Sequence, residues 1–480
     1  MVYRQMRHTT GLVLILMVIA EVSPAWAGWW HLPQLPSGAV VRDVNRHYET
    51  TPRIARADTM TEVVIRPLYD HCRFKPDAQY KVTYTALDQL YGEENPILPG
   101  TQTVIQLAED GTMRLDLFLA SEQIHLIMIE ETLADKKKTI GPFVIYSLKE
   151  DLFTLRPFKG DFHMHSHHSD GVVSPAYVAG ACRRVGLDFM ALTDHHKYAP
   201  SLEAAAFYRD VPIDLKIYGG EEIHAPDNPV HIVAFGTREG VSPLYRDNPE
   251  GEKQVREEIA KIRDTLSALP EGVDPWHAAA CRWVVDRIHE RGGLAMLCHP
   301  YWVTRNAHNV GEPLLDYLLR SNFDLLELVS GDSWEGIRQY DQNALQAAMW
   351  QKKVLEGIKI PVVGISDTHG MERSEQFGRY FTICFAPSAE LADLQQAMKS
   401  GMAVAVEIVR GDRPLVYGSW RLVKYAHFLL KEVLPQHDEL CYEEGRLMLQ
   451  YTAGDSSAKE LLGAMRGRTA RLYGTYWMKE

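Results

Sequence analysis

The stretch Asp161-Phe-His163-Met-His165-Ser-His-His-Ser169-Asp170-Gly171 sets two imidazoles two residues apart. On a strand, residues i and i+2 point the same way, so His163 and His165 share a face while Phe162 and Met164 take the other. Two imidazoles on one rigid edge supply half of a metal ion's first shell. Asp170, in the Ser-Asp-Gly turn just beyond, can add a carboxylate. A His-x-His pair taken alone is a weak signal.

The pattern recurs along the chain. The apolar run Asp188–Thr193 ends in Asp194-His195-His196, and the run near Tyr218 leads into Gly219-Gly220-Glu221-Glu222-Ile223. Leu294–Leu297 ends in Cys298-His299-Pro300, and Val362–Ile365 ends in Ser366-Asp367-Thr368-His369-Gly370. His231 opens a further strand-like run, and from Phe162 to His231 lie eight of the chain's 20 histidines. Histidines scattered through a core or a surface would not gather at the ends of successive strands, so this recurrence points to a multinuclear metal site. His167, His168, His196 and His224 are read as outer or surface groups rather than ligands. Cys298, next to His299 on a strand, should face the core, and Tyr301 and Trp302 could line a pocket or pack in the interior.

Strand ends can converge only if a scaffold aligns them. From Lys159-Gly160 onward, short apolar strands alternate with helices, which predicts parallel βαβ units and an α/β sheet or barrel. Ligands in such folds gather at the carboxyl ends of the strands. Residues 28–158 differ in texture, and short strands are expected at Thr61–Pro67, Tyr80–Asp88, Gln102–Ala108, Thr112–Leu119, Gln123–Glu130 and Gly141–Leu148. Turn residues separate them, which predicts a small antiparallel sandwich-like domain. The tail 412–480 reads as helical, over Gly418–Val433 and Asp455–Met465.

The first residues carry a targeting pattern. Arg4, Arg7 and His8 precede the apolar run Gly11–Ala20, and Ala25-Trp26-Ala27 follows as a cleavage site. A signal peptide over 1–27, a mature start at Gly28, and a periplasmic or secreted protein are therefore expected. The apolar run is too short to span a bilayer, which takes about 20 residues, so no transmembrane anchor is expected. The formal net charge is −12. An acidic chain gains little from phosphate backbones, which favours a small phosphorylated substrate over nucleic acid and leaves an oligonucleotide as the alternative. Six cysteines without a Cys-x-x-Cys pair fix no disulfide pattern.

Residues 159–405, within a domain expected over 159–411, resemble the polymerase and histidinol phosphatase (PHP) superfamily of metal-dependent phosphoesterases. The resemblance rests on His163-x-His165…Ser169-Asp170-Gly171, Ala191-Leu-Thr-Asp194-His195, Cys298-His299-Pro300 and Ser366-Asp367-x-His369, in that order. Gly220-x-Glu222-Ile223 and His231-Ile-Val-Ala-Phe-Gly236 match between the motifs, and the first favours Glu222 over Glu221. The resemblance implies a distorted (β/α)7 barrel and two or three divalent ions of zinc, manganese or iron. His163, His165, Glu222 and Asp367 would hold one ion, and Asp170, His195 and His369 a second. Glu222, His231 and His299 would hold a third, with Glu222 bridging. It also implies hydrolysis of a phosphate ester by a metal-bridging hydroxide. Arg379, Arg305 and Lys197 follow ligand-bearing segments and are candidates to clamp the phosphate. The rival readings are a phosphodiesterase that trims oligonucleotides, and an envelope-binding module whose metal site is structural. The partner of the N-terminal domain is left open.

Overall fold

Alternation of apolar and polar residues builds the N-terminal part of the computed structural model, which describes residues 39–41, 44–88, 105–304, 307–331, 342–370, 377–408 and 413–479. In Met113–Leu119 every second side chain is buried, as the two-residue period of a half-buried strand requires. Four strands form one sheet in the order Tyr48–Thr51, Thr59–Pro67, Met113–Leu119, Ile105–Leu107. The facing sheet runs Ala39–Val41, Lys136–Leu148, Ile124–Leu133, Gln79–Ala86, with Ile54–Arg56 also paired to Lys136–Leu148. Val63, Ile65, Leu115, Ile127, Phe143 and Ile145 fill the space between. Two pairings depart from the antiparallel expectation, because Ala39–Val41 and Ile54–Arg56 both run parallel to Lys136–Leu148. Only Pro52 and Arg53 separate Tyr48–Thr51 from Ile54–Arg56, so the chain passes between sheets without turning back on itself. The expected signal segment 1–27, the start of the strand expected at Gln102–Ala108 and residue Arg305 lie outside the described residues.

Two larger sheets follow, in a mixed α/β arrangement. One has the order Lys216–Tyr218, Phe189–Ala191, Arg156–Asp161, Tyr380–Ala386, Ala403–Glu407, Leu415–Tyr417. The other has the order Gly220–Ile223, Ile232–Phe235, Leu294–Leu297, Leu325–Val329, Val362–Gly364. Phe162, Phe189, Phe235, Met296, Val363 and Cys384 share one buried cluster that draws on both sheets. At Gly160 a Cβ would meet the Phe189 ring at 2.1 Å, so only glycine lets that ring lie across the strand. The expected parallel pairing holds for Arg156–Asp161, Phe189–Ala191 and Lys216–Tyr218, and for Leu294–Leu297, Leu325–Val329 and Val362–Gly364. It fails where Ile232–Phe235 pairs antiparallel with both Gly220–Ile223 and Leu294–Leu297, and where Tyr380–Ala386 pairs antiparallel with both Arg156–Asp161 and Ala403–Glu407. For Gly220–Ile223 and Ile232–Phe235 the reason is local. The connection between those two strands is too short for a parallel crossover, which takes about a dozen residues or more.

The C-terminal helices Trp420–Glu432, Leu434–Thr452, Ala458–Met465 and Arg468–Tyr476 close against both parts. Gly445 packs on the helix Pro175–Arg184, where a Cβ would come within 2.2 Å of the Arg184 nitrogen. The buried Arg183 guanidinium donates to Glu444 at 2.7 Å, Asp188 at 3.0 Å and the Leu187 carbonyl at 2.9 Å. Lys159 meets Asp438 at 2.9 Å. The last residues return to the sandwich, with Arg53 N donating to the Tyr476 carbonyl and Met478 N to that of Ile54, both at 2.7 Å. No helix among the described residues is long and apolar enough to cross a membrane.

Removing one partner of a buried ion network strands the others in low dielectric. Arg183→Ala is therefore expected to lower the unfolding free energy by about 3–5 kcal/mol, measured by urea titration. A loss below about 1 kcal/mol would mean that this network does not hold the tail in place.

Candidate metal centre

Each strand end carries its side chains to one point because the ends are stitched together. His195 forms a parallel bridge with Glu222, and Met164 forms one with Thr368. His165 N donates to the Thr368 carbonyl at 2.9 Å, and His196 N to the Glu222 carbonyl at 2.8 Å. The buried Asp194 carboxylate organises the turn after the first strand, accepting from Ser166 N at 2.9 Å and Ser169 Oγ at 2.7 Å. Asp161 does the same at the base, accepting from His163 N at 3.3 Å and Ser366 N at 3.2 Å. Burial pushes the Asp161 carboxyl up to about 7. His299 and Asp367 hold positive φ values of 20° and 48°. Non-glycine residues rarely adopt that region, and such strain collects at functional sites.

The structure brings together His163, His165, Asp170, His195, Glu222, His231, His299, Asp367 and His369. Glu222 stands in the middle, fully buried. Its Oε2 lies 3.3 Å from His163 Nε2, 3.4 Å from His165 Nε2 and 2.7 Å from His195 Nδ1. Its Oε1 lies 2.6 Å from His231 Nδ1 and 3.6 Å from His299 Nε2. Asp367 Oδ1 is 3.2 Å from His165 Nε2 and 3.4 Å from His163 Nε2. Asp170 Oδ2 meets His195 Nε2 at 3.4 Å and His369 Nε2 at 3.3 Å. Asp170, His195, Glu222, His231, His299, Asp367 and His369 line a cleft whose wall is completed by Trp302, Gly331 and Gln342.

The donor atoms fit a cation. Both Glu222 oxygens, His163 Nε2, His195 Nδ1 and His231 Nδ1 are buried and lack a well-aligned hydrogen-bond partner. Orphaned buried polar atoms are costly, and several aimed at one point call for a shared positive charge. The ligand atoms of His165, Asp170, His195 and His369 lie within 4.8 Å of one another, as do those of His163, His165 and Asp367, and of His163, Glu222 and His299. Proton affinities follow the same logic. Burial disfavours a charged His163, yet Asp367 and Glu222 hold its pKa well above the ordinary value. Burial opposes a charged His195 too, and Glu222 and Asp170 raise it to about 10. His231 goes the other way, lowered by burial to about 3 despite its contact with Glu222. Burial works against the Glu222 carboxylate, but His195, His231 and His163 keep it well below the usual range.

Two groups beyond the expected set, buried Glu327 and half-buried His224, complete the cluster. Glu327 Oε2 lies 3.0 Å from His163 Nδ1, which turns His163 Nε2 toward Glu222. The sequence signal was a lone carboxylate inside the apolar strand Leu325–Val329, where a buried charge needs a partner. His224 stacks on His231 at 3.7 Å between ring centroids, with its Nε2 3.5 Å from Glu222 Oε1. Glu221 points elsewhere, accepting from Ser242 N at 3.2 Å. Cys298 packs in the core as expected, though its sulfur also lies within 4.8 Å of ligand atoms of His163 and Glu327. Trp302 lines the cleft, whereas the Tyr301 hydroxyl turns to Glu312 at 3.3 Å. Of the expected clamps, Arg305 lies outside the described residues, exposed Lys197 donates to the His168 carbonyl, and neither Lys197 nor Arg379 is among the described residues that line the cleft.

Outer carboxylates that fix a ligand's ring and tautomer contribute about 10–100-fold to metal affinity. Glu327→Gln is expected to weaken metal retention by that factor, read by competition with a chromophoric chelator. An unchanged affinity would mean that His163 needs no such support.

No family model matches the chain. It is 47% identical over 53 residues to the DNA polymerase/3'-5' exonuclease PolX of Bacillus subtilis, a match covering 11% of this chain. The match spans only 9% of that polymerase's length. Among solved structures, a two-domain protein of Bacteroides vulgatus containing a predicted PHP-like metal-dependent phosphoesterase overlaps 58% of this chain and 71% of its own, with 19% identity and a TM-score of 0.38. A metal-dependent phosphoesterase predicted in Bifidobacterium adolescentis overlaps 45% of this chain and 89% of its own, with 18% identity and a TM-score of 0.29. An amidohydrolase of Chromobacterium violaceum with bound sulfate overlaps the same shares, with 20% identity and a TM-score of 0.27. In the order of its motifs, the chain is similar to the PHP-like metal-dependent phosphoesterases.

Proposed function

We propose that this chain is a metal-dependent hydrolase that cleaves a phosphate ester of a small substrate. The observation that carries the reading is Glu222, a buried carboxylate with neither oxygen hydrogen-bonded, whose two oxygens face separate sets of imidazoles. Under this reading residues 28–158 form a sandwich-like domain, 159–411 a distorted (β/α)7 barrel and 412–480 a helical extension. His163, His165, Glu222 and Asp367 would hold one divalent ion, and Asp170, His195 and His369 another. Glu222, His231 and His299 would hold a third. Zinc, manganese or iron suits this mixture of imidazole and carboxylate. Bound there, such ions supply Lewis acidity and an activated water for in-line attack on phosphorus.

The chain's own residues orient and exclude. Glu327 fixes the His163 ring, Asp194 holds the turn that presents Asp170, and Trp302 with Gln342 walls the cleft. Gln342 Oε1 is buried there without a partner, an acceptor suited to a substrate hydroxyl. No lysine or arginine is among the described residues that line the cleft, and under this reading the phosphate charge is met by the metal centre and its imidazoles. Export, with cleavage near Ala27, belongs to the same proposal, and the intact mass of the protein recovered from cells checks it.

His163→Ala and Asp367→Ala should each lower hydrolysis of an aryl phosphate by at least about 1,000-fold, several kcal/mol of barrier. Elemental analysis of the wild type should find about two or three divalent ions per chain. Unchanged turnover in both variants would sink the proposal. The stretch similar to a DNA polymerase/3'-5' exonuclease keeps a phosphodiester substrate in view. Shortened products from oligonucleotides, with aryl phosphate untouched, would move the assignment to trimming.

A further inference from the structure

A second cluster of ligand-type side chains lies in the N-terminal sheets, on a different part of the chain from the centre around Glu222. His47 leads into the strand Tyr48–Thr51, and the short turn Asp70–Cys72 follows its partner strand Thr59–Pro67. Leu68 N donates to the His47 carbonyl at 2.8 Å, so the strand pairing continues up to the cluster and fixes the two segments together. Cys72 Sγ lies 3.5 Å from His47 Nδ1. The His47 and His71 rings meet edge to face at 5.7 Å, and Tyr69 stacks on His71 at 5.6 Å with 10° between planes. One nitrogen from each histidine and the Cys72 sulfur lie within 4.8 Å of one another.

We propose that His47, His71 and Cys72 form a second transition-metal site, of the zinc type, that clips the turn Asp70–Cys72 to the strand beginning at Tyr48. Zinc takes imidazole at about 2.0 Å and thiolate at about 2.3 Å, which sets tetrahedral donors roughly 3.5 Å apart. The Cys72–His47 pair already has that spacing, and the His71 nitrogen, within 4.8 Å of both, needs only a small inward swing to reach it. A thiolate with two imidazoles is a softer set than the carboxylate-rich centre around Glu222, and it selects zinc or copper over manganese, magnesium or calcium. His71 is exposed and His47 half-buried, so an ion reaches the site from solvent while Cys72 sits on the core side. Burial raises the Cys72 thiol's pKa, with Lys138 working against that rise. Binding therefore expels the thiol proton: Cys72–SH and the divalent ion give a metal thiolate and one released proton. Three protein donors leave a fourth position to water.

Cobalt(II), a coloured stand-in for zinc, tests this on the full-length protein. A thiolate-to-cobalt charge-transfer band should appear, be displaced by zinc, vanish in Cys72→Ser and persist in Cys298→Ser, the control for the thiol beside His163. His71→Ala, at an exposed position, should weaken the cobalt affinity reported by that band by more than about tenfold, since even an outer contact to a ligand is worth about 10–100-fold. Aryl phosphate hydrolysis by Cys72→Ser and His71→Ala should stay within about twofold of wild type, which separates this site from the one around Glu222. A band that is absent from the wild type, or that survives Cys72→Ser, overturns the proposal. A band lost in Cys298→Ser instead would assign the thiolate to the Glu222 centre and overturn it equally.

Discussion

A carboxylate buried at the centre of a protein must be compensated, and the arrangement around Glu222 follows from that requirement. Moving an ionised carboxylate out of water costs several kcal/mol even after relaxation. The hydrogen bonds that normally offset the loss are missing at both oxygens. Five expected imidazoles stand there instead, from His163, His165, His195, His231 and His299. They come from four separate stretches of the sequence, so the compensation exists only when the strand ends are in register. The bridges His195 to Glu222 and Met164 to Thr368 set that register.

Carboxylates that touch no ligand position of their own keep the cluster rigid. Asp161 and Asp194 accept backbone and hydroxyl donors from the segments that carry His163, Asp170 and Asp367. Glu327 dictates which nitrogen of His163 looks inward. His299 and Asp367 remain at positive φ because these surroundings over-determine them. Metal centres of this kind depend as much on the groups behind the ligands as on the ligands.

The parts of this arrangement legible in the sequence are those with local spacing. The alternation in Met113–Leu119 is legible because a strand has a two-residue period. The His163-x-His165 and Asp367-x-His369 spacings flag the site although their strands end at Asp161 and Gly364, and Asp367 departs from strand geometry at a φ of 48°. Glu327 passed unnoticed because one charge in a five-residue apolar strand has no local pattern, only an unmet need for a partner. The role of the tail was hidden more deeply. Arg183 and Glu444 stand 261 residues apart, and no periodicity links them. The antiparallel turn between Ile223 and Ile232 was decided by connection length, which competes with the rhythm of alternating strands and helices.

Charge balance ties the proposed chemistry to the number of ions. Asp170, Glu222 and Asp367 bring three carboxylates into the cleft, and no lysine or arginine lines it among the described residues. A single divalent ion would leave the cluster negative and repel a phosphate ester. Two would offset these three carboxylates with one positive charge over, which the buried Glu327 behind His163 cancels, and a third would turn the site positive where Coulomb terms are larger than in bulk solvent. For the proposed anionic substrate, the charge of the described lining therefore favours more than one ion, and the imidazoles that outnumber the carboxylates are neutral donors that would hold such ions without cancelling their charge.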